Sequence, residues 1–264
     1  MAFTNVATPR ELRKVIKMGL RFVRTPKEME PLFEKAEAYV KLYFEDEKRR
    51  PEMGTITISG QRYILVRAVS MSVEFMEFIK NKYPGFDEED AYDAAARLLF
   101  DLGHSIGKTD ARDFHASMNV EDPVAKLSSG PVHFAFTGWA FVDIFPESKP
   151  TTDKNYYLIY DHPQSFEADS WIARKKTSKK PVCFMNAGYS SGWCEESFGV
   201  PLVAQEILCR AKGDNYCRFI MAHPDMISKF VEEYKRTHSE LFGSIMPKDS
   251  MISYGENHQE ISSC

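Results

Sequence analysis

The sequence predicts an α+β fold: an N-terminal helical segment, then a mixed sheet-and-helix domain with a cysteine-bearing hairpin lobe near its end. Three observations carry this. Apolar residues recur at helical spacing near both ends, as in Leu12, Val15, Ile16 and Leu20, and again in Ile227, Phe230, Val231 and Tyr234. Between them lie short β-prone runs bounded by turn residues. Two such runs flank Gly213, and each carries a cysteine at the same distance from it, Cys209 and Cys217.

The chain of 264 residues is long enough for a sizeable core, and its 43% hydrophobic and 27% charged contents are those of an ordinary globular protein. A net charge of −4 gives no basic face for nucleic acid, so no direct nucleic-acid binding is expected. No apolar run approaches the roughly 18 residues of a membrane span. The start, MAFTNVATPRELRK, lacks the apolar core of a secretion signal. A cytoplasmic location is expected, where thiols stay reduced.

Taken in order, Thr8-Pro9 opens a first helix, with apolar residues through Val23. Thr25-Pro26 repeats the signal, and Leu32, Phe33, Ala36, Val40, Tyr43 and Phe44 mark a second helix running into the charged EDEKRR at 45–50. An N-terminal helical pair can also pack on a second copy, so a homodimer is expected. Thr55 to Ile58 and Gln61 to Val66, joined by Ser59-Gly60, read as a hairpin. Helices are expected over 70–83 and from 87 through Met118, with Gly103 and Gly107 one turn apart where another backbone approaches closely. The run PVHFAFTGWAFVDI predicts a strand over 131–144, and 156–160 a short aromatic strand. Ser165 caps a short helix, 188–198 reads as another, and a last helix covers 225–242 before a polar tail expected to be disordered. The implied segments are 1–50 (helical), 51–145, 146–224 (the cysteine lobe), 225–242 and 243–264.

The chemistry concentrates in PVCFMNAGYSSGWCEESFGVPLVAQEILCRAKGDNYCRF. Cys183, Glu206, Cys209 and Cys217 offer three soft thiolates and one carboxylate, a donor set that suits zinc. Opposed cross-strand Cβ atoms lie roughly 4.5–5.5 Å apart, so Cys209 and Cys217 could grip one ion. Glu206, three residues before Cys209, would point to the other face of a regular strand, and a bulge or twist is needed to bring it round. Spacing alone leaves a disulfide or simple buried thiols open; a reducing location favours the metal. Cys194, Glu167, His104 and His115 read as ordinary thiol, cap or packing residues.

The stretches GTITISGQRYILV, LFDLGHSIGKTDAR, VHFAFTG, SFEAD, PVCFMNAGYSSGW and EILCRAKGDNYCR, in this order over roughly residues 50 to 222, resemble the effector-sensing N-terminal region of phenol- and xylene-responsive activators of aromatic catabolism. That region joins an activator-type N-terminal segment to a 4-vinyl-reductase-type domain. The resemblance implies a structural zinc on Cys183, Glu206, Cys209 and Cys217, and a pocket histidine at His133 that hydrogen-bonds a phenolic hydroxyl. His162 stands where the family's phenol sensors carry tryptophan, and Ala204 where they carry an aromatic. Both departures predict a wider or more polar pocket.

The expected function is a small-molecule sensing module, not an enzyme. Its pocket is expected to be walled by Phe134, Phe136, Tyr160, Phe184, Tyr189, Trp193 and Ala204, with His133 and His162 as polar handles. The chain lacks a phosphate-binding loop, so its output is expected from a further domain or a partner protein. An acid–base enzyme built on His133, His162, Asp161 and Glu167 is the weaker reading, since no dinucleotide fingerprint is present and a closed Cys3Glu zinc leaves no open position. A third reading is a vesicle-tethering type of interaction protein whose cavity holds a lipid or is filled by side chains.

Overall fold

The computed structural model describes residues 20–82, 85 and 87–242. The helix expected from residue 8 and the tail from 243 lie outside these, except that the expected last helical turn is a strand. β1 (Val23–Arg24) pairs in parallel with β5 (Val142–Ile144). α1 (Glu30–Glu45) follows, with Pro31 in its first turn and Phe33, Ala36 and Val40 on its buried stripe. Glu37 is buried with them. Its carboxylate accepts the backbone N–H groups of Arg21 and Phe22 at 2.9 and 2.8 Å, which fastens the entry to β1 onto α1.

The run 45–50 is not a solvated helix end. Glu47–Arg50 form β2, an edge strand with all four residues exposed. Nothing in it alternates, so no pattern announces a strand; pairing alone makes it one. It runs antiparallel to β3 (Thr55–Ile58), which pairs with β4 (Gln61–Tyr63). Ser59 and Gly60 have φ of 46° and 82°, the left-handed pair that a two-residue hairpin turn requires.

α2 (Val73–Lys82) starts later than expected, after a 3-10 turn at Ala68–Met71. α3 (Glu88–Met118) is continuous, and the Asp87 carboxylate caps it by accepting the N–H groups of Glu89 and Asp90, both at 2.8 Å. The main correction is α4 (Pro123–Thr137), which replaces most of the strand expected over 131–144. Asp122 caps it, Pro123 begins it and Gly138, at φ 76°, ends it. Every residue from Leu127 to Phe134 is buried. A helix buried all round shows no stripe, and its apolar run reads like a strand.

β6 (Tyr157–Asp161), α5 (Phe166–Ala173), α6 (Phe184–Phe198), β7 (Val203–Leu208), β8 (Arg218–Ala222) and α7 (Pro224–Thr237) complete the α+β fold. The main sheet has the order β1-β5-β6-β8-β7, antiparallel except for its first pair. Alternate side chains divide it by face, as a pleat dictates. Leu158, Tyr160, Phe219 and Met221 join the large core that includes residues of α4 and α6. Ile159 and Ile220 face α7, packing with Val231 and Tyr234. Arg218 fastens that helix. It holds Asp161 with two hydrogen bonds of 2.7 and 2.8 Å and donates a third, 2.7 Å, to the Tyr234 hydroxyl.

The close approach expected at Gly103 and Gly107 is present, and its partner is α6. A Cβ on Gly107 would lie 2.2 Å from the carbonyl oxygen of Tyr189, and one on Gly188 2.0 Å from that of Phe100. Glycines on both helices thus let α3 and α6 cross backbone to backbone. Among the described residues no helix is long and apolar enough to cross a membrane.

Candidate functional site

The metal cluster assembles from three places. Cys183 precedes the first turn of α6, Glu206 lies on β7, and Cys209 and Cys217 stand at the facing ends of the β7–β8 hairpin. All four are buried, and their donor atoms lie within 4.8 Å of one another. The required bulge exists: pairing passes from Glu206↔Phe219 to Leu208↔Arg218, with Ile207 as the extra residue. That extra residue changes the parity of the strand and turns Glu206 toward the cysteines. The sulfurs are free thiols, with Cys183 and Cys217 at 3.9 Å, so no disulfide forms here.

The surroundings fit a cation. Glu206 Oε2 accepts the N–H groups of Val182 and Cys183 at 3.0 and 2.9 Å, while Oε1 is buried without a hydrogen-bond partner. The backbone N–H of Arg210 donates to Cys217 Sγ at 3.4 Å, and Ser165 Oγ lies 3.1 Å from Cys183 Sγ. Burial pushes the Cys183 thiol and the Glu206 carboxyl well above their ordinary ranges, and neighbouring thiolates push Glu206 further. Packing this many acidic donors in one dry place is costly unless a positive ion neutralises them.

Beside the cluster are two spaces. An inner apolar chamber of about 30 Å³ lies among α4, α6 and the sheet. An outer cleft of about 590 Å³ lies among α1, the small sheet, α3 and α4. Tyr189 lines both and is their common wall.

The expected pocket residues divide between them. Phe134, Tyr160 and Trp193 line the chamber; His133 and Phe136 line the cleft. His162 packs against Phe134, Tyr160 and Phe219, and its backbone N–H donates to the Cys217 carbonyl at 2.8 Å. Neither of its ring nitrogens has a partner. Phe184 lines neither space. It packs on Tyr92 in a satellite core with Met76 and Leu99. Ala204 lines neither as well; its N–H donates to Ser191 Oγ from within β7.

His133 is 1% exposed, and burial lowers it to about 3, so the ring is neutral. Its Nδ1 lies 2.7 Å from the Tyr189 hydroxyl, and its Nε2 has no partner. Tyr189 in turn donates to Asp110 Oδ2 at 3.2 Å. Burial raises Asp110 to about 6, against the pull of that hydrogen bond. Sequence reasoning missed Asp110, together with Tyr43, Phe44, Phe114 and Trp139 in the cleft wall. A signal existed for Asp110: it lies three residues after Gly107 and four before Phe114, on the buried face of α3.

The four groups of the acid–base reading are not gathered into one site. Asp161 is held by Arg218. Glu167 accepts the N–H groups of Met185 and Asn186 at 3.0 and 2.9 Å and so caps α6, although burial raises it to about 8.

The late part of this architecture belongs to a recognised class. Residues 165–222, from the cap of α5 through β8, match the family of 4-vinyl-reductase-type domains and include all four cluster residues. Similar proteins extend the match. The chain is 26% identical over 141 residues to the phenol regulator MopR of Acinetobacter guillouiae, covering 52% of this chain and 25% of that protein. It is 27% identical over 122 residues to the transcriptional regulatory protein XylR of Pseudomonas putida, covering 45% and 21%. The chain thus spans about a quarter of the length of the curated relatives it matches. The fold is that of the phenol-responsive sensory domain of the transcription activator PoxR, with a TM-score of 0.60 at 18% identity, over 78% of this chain and 97% of that one. A trafficking protein particle complex subunit from Naegleria fowleri gives a TM-score of only 0.38 and carries no argument. The relatives are regulators rather than enzymes, in agreement with the resemblance drawn from the sequence.

Proposed function

We propose that this chain is a signal-input module that binds a small aromatic or similarly apolar molecule in the outer cleft and carries a structural zinc in its hairpin lobe. One observation carries the reading. A fully buried imidazole lines an aromatic-walled space with one nitrogen unsatisfied. Leaving such a group unpaired costs about 1–3 kcal/mol, which a bound polar group would offset. The chamber behind Tyr189 has room for about one or two waters, so an aromatic ring fits the cleft and not the chamber. The relatives' names, phenol regulator and phenol-responsive sensory domain, support the ligand class.

Zinc is the ion that three thiolates and a carboxylate suit best, and four protein ligands close its shell. Bound there it would neutralise the cluster and supply folding energy. Cys183 would fix the start of α6, which carries Tyr189. The output is a domain or protein beyond this segment, and the working unit is a homodimer.

Titration calorimetry with phenols and indoles tests the ligand, and elemental analysis tests the metal. One zinc per chain is expected, and binding that His133→Ala abolishes while zinc stays. A preparation that binds no member of a broad aromatic panel refutes the sensor reading; stable metal-free protein refutes the zinc. A monomer in analytical ultracentrifugation refutes the dimer.

A further inference from the structure

The Tyr189 hydroxyl has one hydrogen and two neighbours, Asp110 Oδ2 at 3.2 Å and His133 Nδ1 at 2.7 Å. An ionised carboxylate only accepts, and its bond is charge-assisted. The single proton therefore goes to Asp110. The hydroxyl oxygen then faces Nδ1 as an acceptor, so Nδ1 must carry the imidazole proton. A neutral imidazole has one N–H. Nε2 is left as a bare lone pair, and no group among the described residues donates to it. The groups that act on Asp110 are Asp113 on the same helix, Tyr43 from α1, Tyr63 from β4 and Tyr189 from α6, all acids or phenols.

We propose that Asp110, acting through Tyr189, locks His133 in the Nδ1–H tautomer and so makes the cleft select ligands that donate a hydrogen bond, phenols and N–H heteroaromatics, over ethers and carbonyls of similar shape. This rests on the reading of the cleft as the ligand site. Asp110 is a positioning residue: its effect reaches the ligand through two other side chains. Without a carboxylate at 110 the best acceptor for the Tyr189 proton is Nδ1. The imidazole proton then moves to Nε2, and the site turns from acceptor to donor.

Two measurements on the zinc-loaded chain at pH 7.5 test this. Nitrogen-15 NMR of the ligand-free protein reads the tautomer, and calorimetry reads the ratio of phenol to anisole affinity. Wild type is expected to show protonated Nδ1 and bare Nε2, and a phenol preference of roughly tenfold (about 1.4 kcal/mol). Asp110→Leu is expected to show protonated Nε2 and a preference near one; comparing the ratio between variants cancels ligand size. Should Asp110→Leu not fold, Tyr189→Phe removes the same link and keeps the ring, and its preference must shrink likewise. Protonated Nε2 in wild type, or an unchanged preference in a folded variant, overturns the proposal. Protein that binds neither ligand overturns the cleft reading and the selection built on it, whereas bound phenol with protonated Nε2 overturns the relay alone.

Discussion

Adding one methyl group at Gly107 probes the crossing of α3 and α6. Its Cβ would sit 2.2 Å from the Tyr189 carbonyl oxygen, where ordinary contact begins at 3.4 Å. The helices must part there by about 1 Å, because the obstacle is backbone and cannot rotate away. Alanine favours a helix by about 1 kcal/mol over glycine. Overpacking costs about 1–3 kcal/mol, occasionally more, and a rigid backbone obstacle puts this site at the upper end. The expected net loss is about 1–2 kcal/mol. At about 2–4 °C per kcal/mol for a chain of this size, Tm should fall by roughly 3–8 °C. Thermal and urea denaturation measure it, with Ser105→Ala, on the exposed side of the same helix, as a control expected near wild type. Because the atom struck belongs to Tyr189, phenol affinity should fall as well. A Gly107→Ala protein as stable as wild type would refute the argument from close approach.

Cys209→Ser should lose the metal and lower Tm by more than about 10 °C, read by elemental analysis and calorimetric melting, since binding is folding energy at such sites. Arg218→Met strands the Asp161 carboxylate, with side chains only 10% and 9% exposed in the parent pair, and should cost about 3–5 kcal/mol in urea titration. Burial holds His115 at about 4, below the 6.5 of the unfolded chain. The unfolded chain therefore takes up the proton first. Stability is present above pH 6.5 and lost as pH falls toward 4, and His115→Gln should flatten that part of the stability profile. Burial pushes the Cys194 thiol up to about 12, so iodoacetamide at pH 8 should leave it unmodified in native protein and label it after denaturation.

What the sequence displayed and what it hid have physical reasons. Elements with one wet face, such as α1 and α3, or with explicit punctuation, such as Ser59-Gly60 or Ser165, show in the pattern. α4 hid because it is wrapped on all sides, and β2 because none of its residues is buried. The metal cluster was legible down to its bulge, since the parity of residues 206 and 209 on a pleated strand demanded one. The cleft was not. Its walls come from α1, β4, α3, α4 and α6, segments far apart in the chain whose aromatics look like any core residue. Neighbours on one helix also part: Phe134 faces the chamber and His133 the cleft, a division of α4 that a strand reading could not supply.

The order of residues around Arg218 has a mechanical consequence. Asp161 is followed at once by His162, and Arg218 is preceded at once by Cys217. The guanidinium is therefore a rivet between the histidine-bearing end of β6 and the thiol-bearing end of β8, and its third bond pins Tyr234 of α7. Any sliding of either strand end drags the outgoing helix along, so the direction in which the chain leaves the sheet is geared to the state of the hairpin.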